Sequence, residues 1–182
     1  MDENELLSAC IKGERIAQRQ LYNNYAAKLM AVSLRYSKTR AEAEDILQES
    51  FIKVFKNLGK LRDRSNIGAW MKRIIINTAI NHHRGKLYLF PMVDVNKINK
   101  SYGESVALSE YRMDELLEMI RELPSGCQLI FNLFAIEGFS HKEIAEKLNI
   151  SEGTSKSQYS RAKMLLQKKI TDDSKNSYEQ LK

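Results

Sequence analysis

Residues 140–166 read SHKEIAEKLNISEGTSKSQYSRAKMLL. Ser140 followed three residues later by Glu143 fits a capping box, in which a hydroxyl and a carboxylate satisfy two orphan backbone donors at a helix start. The short helix that follows turns Ile144, Ala145 and Leu148 inward. A brief turn comes next, pinned by Ile150, and Ser151 caps a second helix. The pattern predicts a helix-turn-helix. At about 100° per residue, the second helix sets Tyr159, Ala162 and Leu166 on one side with Ser155, and Ser157, Ser160 and Arg161 on the other, flanked by Thr154, Lys156 and Lys163. So few apolar residues leave most of this helix free for something other than packing. Arg can bind guanine edges bidentately, hydroxyls adapt to several base edges, and Lys or a helix N-terminus can hold phosphate. A merely solvated helix face is the alternative that this stretch alone leaves open.

Outward from this pair, apolar residues recur at three- and four-residue spacing almost throughout, and strand signals are nearly absent. The chain reads as all-α. Thr39 with Glu42 and Ser125 with Gln128 fit two further capping boxes. Helices are expected near residues 3–11, 14–36, 40–58, 66–84, 110–122, 126–136, 141–148 and 152–168. Residues 85–110, with Gly85, Pro91 and Gly103, read as a flexible linker between two small helical domains, 1–84 and 111–170, and 171–182 read as a polar tail that frays. Roughly 24 extended linker residues would span about 80 Å. Leu87, Leu89, Phe90, Met92 and Val93 are apolar for a solvated tether, which suggests that part of it packs on a domain or a partner.

Composition narrows the function classes. The acidic start MDENELLSAC does not look like a secretory signal, and no apolar run approaches the roughly 18 residues of a spanning helix, so a cytoplasmic location is expected. Cys10 and Cys127 belong to no paired spacing and read as reduced core thiols. The formal charge of +6 is uneven: residues 1–84 hold 15 Lys+Arg against 9 Asp+Glu, and residues 140–170 hold seven against three. Two separate basic faces point to nucleic acid. His82 and His83 are adjacent, diverge on a helix and have no Cys or acidic partner nearby in sequence, so no metal and no cofactor is assigned.

In the first domain, the helix from Arg40 is expected to bury Ala43, Ile46, Leu47, Phe51, Val54, Phe55 and Leu58, leaving Asp45, Gln48, Glu49 and Lys53 outside. Taken alone, that acidic cluster needs no partner, since acids first and bases last also suit the helix dipole. In the next helix Arg73, Asn77, Asn81 and Arg84 form one polar stripe beside an apolar stripe of Ile67, Trp70, Ile74 and Thr78. Asn and Arg are side chains that read purine edges or hold phosphates. The preceding loop adds Lys60, Arg62 and Arg64. Trp70 reads first as a core residue, although aromatic and basic groups together can hold unstacked single strands.

The order of parts resembles the bacterial RNA polymerase sigma factors of the extracytoplasmic-function (ECF) group, in the sigma-70 family. The resemblance covers almost the whole chain. It rests on LYNNYAAKLMAVSLRY (21–36), AEDILQESFIKVFKNL (43–58), AWMKRIIINTAINHHR (69–84) and the helix-turn-helix segment of residues 123–167. It implies a region 2 bundle and a region 4 helix-turn-helix, no enzymatic activity, and core RNA polymerase and promoter DNA as partners, the DNA both duplex and melted nontemplate strand. By matching positions, it implies that Asp45, Gln48 and Glu49 dock on the large-subunit coiled coil. It further implies that Arg62, Arg64, Ser65, Asn66, Arg73, Asn77 and Asn81 hold the minus-ten element. Ser151, Thr154, Lys156, Ser157, Gln158 and Arg161 would read the minus-thirty-five element. A membrane-anchored anti-sigma factor is a further partner that the family implies, and a small-molecule substrate is not expected. The chain departs from the family where Ser155 stands for a usual Val and where Gln158 and Tyr159 replace a commoner Arg and Leu. The loop LRDRSNIGAW (61–70) also lacks the usual aromatic and Ser-Phe pattern.

The competing reading is a helix-turn-helix regulator that binds duplex DNA as a dimer without polymerase docking. A helical enzyme finds no nucleophile, base and orienting group in a plausible constellation.

Overall fold

A computed structural model of the protein describes residues 2–87 and 113–179, and among these the regular structure is helical. Backbone contacts divide the chain into two compact units, Met1–His82 and His83–Lys182. The linker read at 85–110 lies almost wholly outside the described residues.

The first unit contains α1 (Glu3–Ile11), α2 (Arg15–Arg35), α3 (Arg40–Asn57), a 3-10 turn at Leu58–Lys60, and α4 (Ile67–Leu87) as far as His82. Its interior is a continuous apolar set that includes Leu7, Leu21, Ile46, Leu58, Ile67, Met71 and Ile75, each at most 1% exposed. Loss of one such side chain to Ala costs about 2–5 kcal/mol, so the i, i+3, i+4 pattern of these residues is what fixes the bundle. α1 starts on a capping box that the sequence reading passed over: Asp2 Oδ1 accepts from the Glu5 N–H at 2.7 Å and Glu5 Oε2 from the Asp2 N–H at 3.0 Å. The Tyr25 hydroxyl donates to Glu3 Oε1 at 2.6 Å, tying α2 to α1. Burial and that carboxylate push the Tyr25 pKa up to about 12. At the other end of α2, Thr39 Oγ1 accepts from the Glu42 N–H at 3.1 Å as expected, while Glu42 Oε2 takes the Lys38 N–H at 2.7 Å.

The second unit contains α5 (Met113–Glu122), α6 (Ser125–Phe131), a π-helical segment (Asn132–Ile136), α7 (His141–Leu148) and α8 (Glu152–Glu179). Ile120, Leu123, Cys127 and Ala162 form its core, with Phe131, Ile136, Leu165 and Leu166 packed against them. Three expectations need correction here. Ser125 is not a cap: Pro124 takes the cap position, its carbonyl accepts from the Gln128 N–H at 2.9 Å, and Gln128 is buried. Pro at that position sets the chain for helix entry without a side-chain cap. The last helix does not stop at 168 but continues to Glu179. Ile170, 5% exposed, and an ion pair between Lys169 and Glu122 of α5 hold it past that point. The helix read at 126–136 widens into π geometry from Asn132.

Candidate nucleic-acid interface

The helix-turn-helix is built as its sequence predicts. Ser140 and Glu143 exchange both capping bonds, Glu143 Oε2 accepting the Ser140 N–H at 2.8 Å and Ser140 Oγ the Glu143 N–H at 3.2 Å. The Ser140 hydroxyl, which donates to Glu143 Oε2 at 2.7 Å, and then the Ser140 N–H hold the Glu143 carboxyl below its usual range. α7 ends at Asn149 in the left-handed region (φ 55°), which Asn tolerates better than most residues. The Ile150 N–H then returns to the Ala145 carbonyl at 3.1 Å. Ser151 Oγ accepts from the Thr154 N–H at 2.9 Å and lies 2.8 Å from Thr154 Oγ1, which closes the first turn of α8. Ile144 and Leu148 are buried between the two helices.

The three departures from the family pattern each have a partner inside the unit. Ser155, fully buried, has its hydroxyl 2.9 Å from His141 Nδ1. Gln158, 7% exposed, accepts from the Cys127 thiol at 3.0 Å. Tyr159 packs on Phe134 with ring centroids 4.5 Å apart, and Phe134 in turn stacks on His141 at 4.2 Å.

Burial divides the expected duplex-reading set. Gln158 lies at i+3 from Ser155 and i−4 from Ala162, both fully buried, so it belongs to the packed face and not to the outer one. Ser157 is 7% exposed and its hydroxyl donates to the Thr154 carbonyl at 3.0 Å, a common use of Ser within a helix. Ser151 and Lys156 are exposed, and Thr154 and Arg161 half-buried. Lys156 is held by Glu152 at 2.7 Å across one turn of an exposed face.

In the first unit, α3 exposes Asp45 and Gln48 as expected, but Glu49 is only partly exposed. Its carboxylate pairs with Lys53 Nζ at 2.7 Å and lies 3.4 Å from His82 Nε2, and these neighbours, Lys53 foremost, hold its pKa down. Sequence reading missed Ile52, 55% exposed one turn after Gln48. Its signal was visible as an apolar residue falling in register with Asp45 and Gln48 on the polar side of the helix. On α4, Arg73, Asn77 and Asn81 are all exposed. Ile67 and Thr78 are buried, each 1% exposed, while Trp70 and Ile74 are only half-buried. Trp70 and Ile74 line a cleft of about 340 Å3 together with Asn57, Lys60, Leu61 and Arg62. A cleft of this size falls at the low end of the range of small-ligand sites.

Two members of the preceding loop carry structural duties. Asn66 Oδ1 accepts from the Ala69 N–H at 3.1 Å and caps α4, and Arg64 Nη1 donates to Ser8 Oγ of α1 at 3.1 Å. Arg62 and Ser65 are exposed, and the Ser65 N–H donates to Asp63 Oδ1 at 2.9 Å.

An all-helical chain with a helix-turn-helix in one unit, and in the other a basic, Asn-lined helix face beside an aromatic cleft, is by class a DNA-binding protein of transcription. Comparison with known proteins sharpens the class. The model for sigma-70 region 2 matches residues 21–86 and that for sigma-70 region 4 matches residues 113–166, together about two thirds of the chain. The RNA polymerase sigma-H factor of Pseudomonas aeruginosa is 28% identical over 180 residues, covering 92% of this chain and 93% of that protein. The ECF RNA polymerase sigma-E factor of Salmonella typhimurium is 28% identical over 182 residues, covering 93% and 95%. A solved sigma factor RpoE, in complex with the anti-sigma factor NepR from Bartonella quintana, is 23% identical with a TM-score of 0.48, covering 85% of this chain and 96% of that one.

The chain belongs to the sigma-70 family of RNA polymerase sigma factors, in its ECF group. It binds core RNA polymerase and directs promoter-specific transcription initiation. A region 2 match over 21–86 has no place in a dimeric duplex-binding regulator. Sigma factors are non-catalytic initiation factors. No described helix is long and apolar enough to cross a membrane.

Proposed function

We propose that the three surfaces divide the work of initiation. Asp45, Gln48 and Ile52 form the face of α3 that docks on core polymerase, with Glu49 at its edge. Arg62, Ser65, Arg73, Asn77 and Asn81 hold the nontemplate strand of the minus-ten element, and a flipped base enters the cleft beside Trp70. Ser151, Thr154, Lys156 and Arg161 meet the duplex minus-thirty-five element. The chain itself catalyses nothing and acts in the cytoplasm, where polymerase and promoter are. A partner of the anti-sigma kind, as in the solved relative, would restrain it.

The observation that carries this reading is the exposed Arg73, Asn77 and Asn81 stripe next to a half-open aromatic cleft. Duplex binding alone has no use for such a cleft. Unpaired bases do, because stacking and hydrogen bonding to flipped bases offset the cost of unpairing without any hydrolysis. The test separates docking from opening: Asn77→Ala should lower strand opening on a promoter fragment while core affinity stays at the wild-type value. Equal loss of both would refute the division of labour.

A further inference from the structure

Lys53 is a cation on α3 whose ammonium reaches α4. Its Nζ donates to Thr78 Oγ1 at 3.1 Å, and Thr78 is the immediate neighbour of Asn77 on the DNA-facing helix. In the same arrangement Glu49 holds that ammonium at 2.7 Å and approaches His82 Nε2, next to Asn81, at 3.4 Å. One carboxylate therefore touches two groups that flank the Asn stripe. It is also a residue of the proposed docking face, where a cation of polymerase would compete with Lys53 for the carboxylate.

We propose that Lys53 is a phosphate-binding group for the unpaired strand, masked by Glu49 in the free protein and released when core polymerase draws the Glu49 carboxylate away. The inference rests on the docking role of α3 given above. Three features favour it. The Lys53 side chain keeps 36% of its surface exposed, so a phosphate can reach the ammonium without repacking the core. Thr78, 1% exposed, stays in place and keeps the ammonium beside α4 once Glu49 leaves. A carboxylate next to a phosphate site repels the strand, so its withdrawal removes a repulsion as well as freeing a cation. The device makes this one phosphate contact conditional on docking.

The test uses the full-length protein and a 20-nucleotide oligo-dT, whose binding reads charge and stacking without base preference. Without polymerase, Glu49→Gln should bind the oligonucleotide about threefold to tenfold more tightly than wild type at low salt. Its salt dependence should steepen by about 0.7 per unmasked phosphate contact. The double variant Glu49→Gln with Lys53→Met should return to wild-type affinity and slope. No gain with Glu49→Gln, or a gain that survives Lys53→Met, overturns the proposal. Core affinity measured on Asp45→Ala and on Glu49→Gln reads the docking assignment separately. If Asp45→Ala weakens core binding and Glu49→Gln does not, the docking face stands but polymerase is not what releases Lys53, and the proposal fails on that count alone.

Discussion

His141 Nδ1 and Ser155 Oγ, 2.9 Å apart, join the first residue of α7 to the fully buried Ser155 in the first turn of α8. The imidazole is stacked between that bond and the Phe134 ring, and burial, then the charge of Lys156, lower its pKa below the ordinary 6.5, with Glu152 pulling the other way. The folded unit therefore prefers the neutral ring. As pH falls through 6.5 the unfolded chain takes up this proton before the folded one does, so proton uptake favours unfolding. Stability is full above the unfolded value and declines as pH drops toward the depressed folded value. The urea midpoint should fall between about pH 7.5 and pH 5.5, and His141→Phe, which keeps the stack, should flatten that slope. An unchanged slope in the variant would remove His141 from the account.

Gln158 separates packing from reading on α8. Its amide is 7% exposed and engaged with Cys127, so Gln158→Ala should cost about 1–2 kcal/mol of stability. Affinity of the folded protein for a duplex minus-thirty-five fragment should be unchanged. Arg161→Ala should do the reverse, leaving the melting temperature near wild type and weakening the duplex by about 1–3 kcal/mol if the guanidinium reads a base. Thermal melting and duplex titration on the two variants decide between them.

The pattern of success and failure in the sequence has a physical cause. The Ser140 and Glu143 box, the Ser151 cap and the buried Ile46, Leu58 and Ile67 are legible because capping chemistry and helical period are local properties. The end of α8 was not, since it depends on Lys169 reaching Glu122 some 47 positions back in the chain. Likewise a helical wheel assigned Ser157 to the outer face without knowing what covers it, and could not tell that Glu49 faces His82 across two helices. Trp70 fell between its two readings. It is neither core nor free surface but the wall of a cleft.

Ile52 falls in register with Asp45 and Gln48 on the proposed docking face of α3. A large aliphatic side chain 55% exposed beside Asp45 and Gln48 is what a partner surface buries at its centre, with charged groups at the rim. Ile52→Ala should weaken core polymerase binding by about 1–2 kcal/mol, or roughly fivefold to thirtyfold, with no loss of thermal stability because the side chain packs on little in the free protein. Affinity of core for the labelled variant is the measurement, and a wild-type value would place the docking face elsewhere.

Trp70 carries the most specific consequence of the cleft. If a flipped base stacks on the indole, truncation removes about 1–3 kcal/mol from the open complex and nothing from docking. Trp70→Ala should then reduce permanganate reactivity of melted thymines about tenfold or more, while core affinity and duplex binding by the helix-turn-helix hold. Because Trp70 is half-buried, some thermal stability goes too, and Trp70→Phe distinguishes the causes. The Phe ring fills less of the cleft but still offers a π-face, so it should restore most of the opening. Were Trp70 only a packing residue, the Phe variant would restore stability, but opening would follow the melting temperature in both variants. A residual defect in opening at temperatures where Trp70→Ala is fully folded is the result that assigns the base to this cleft.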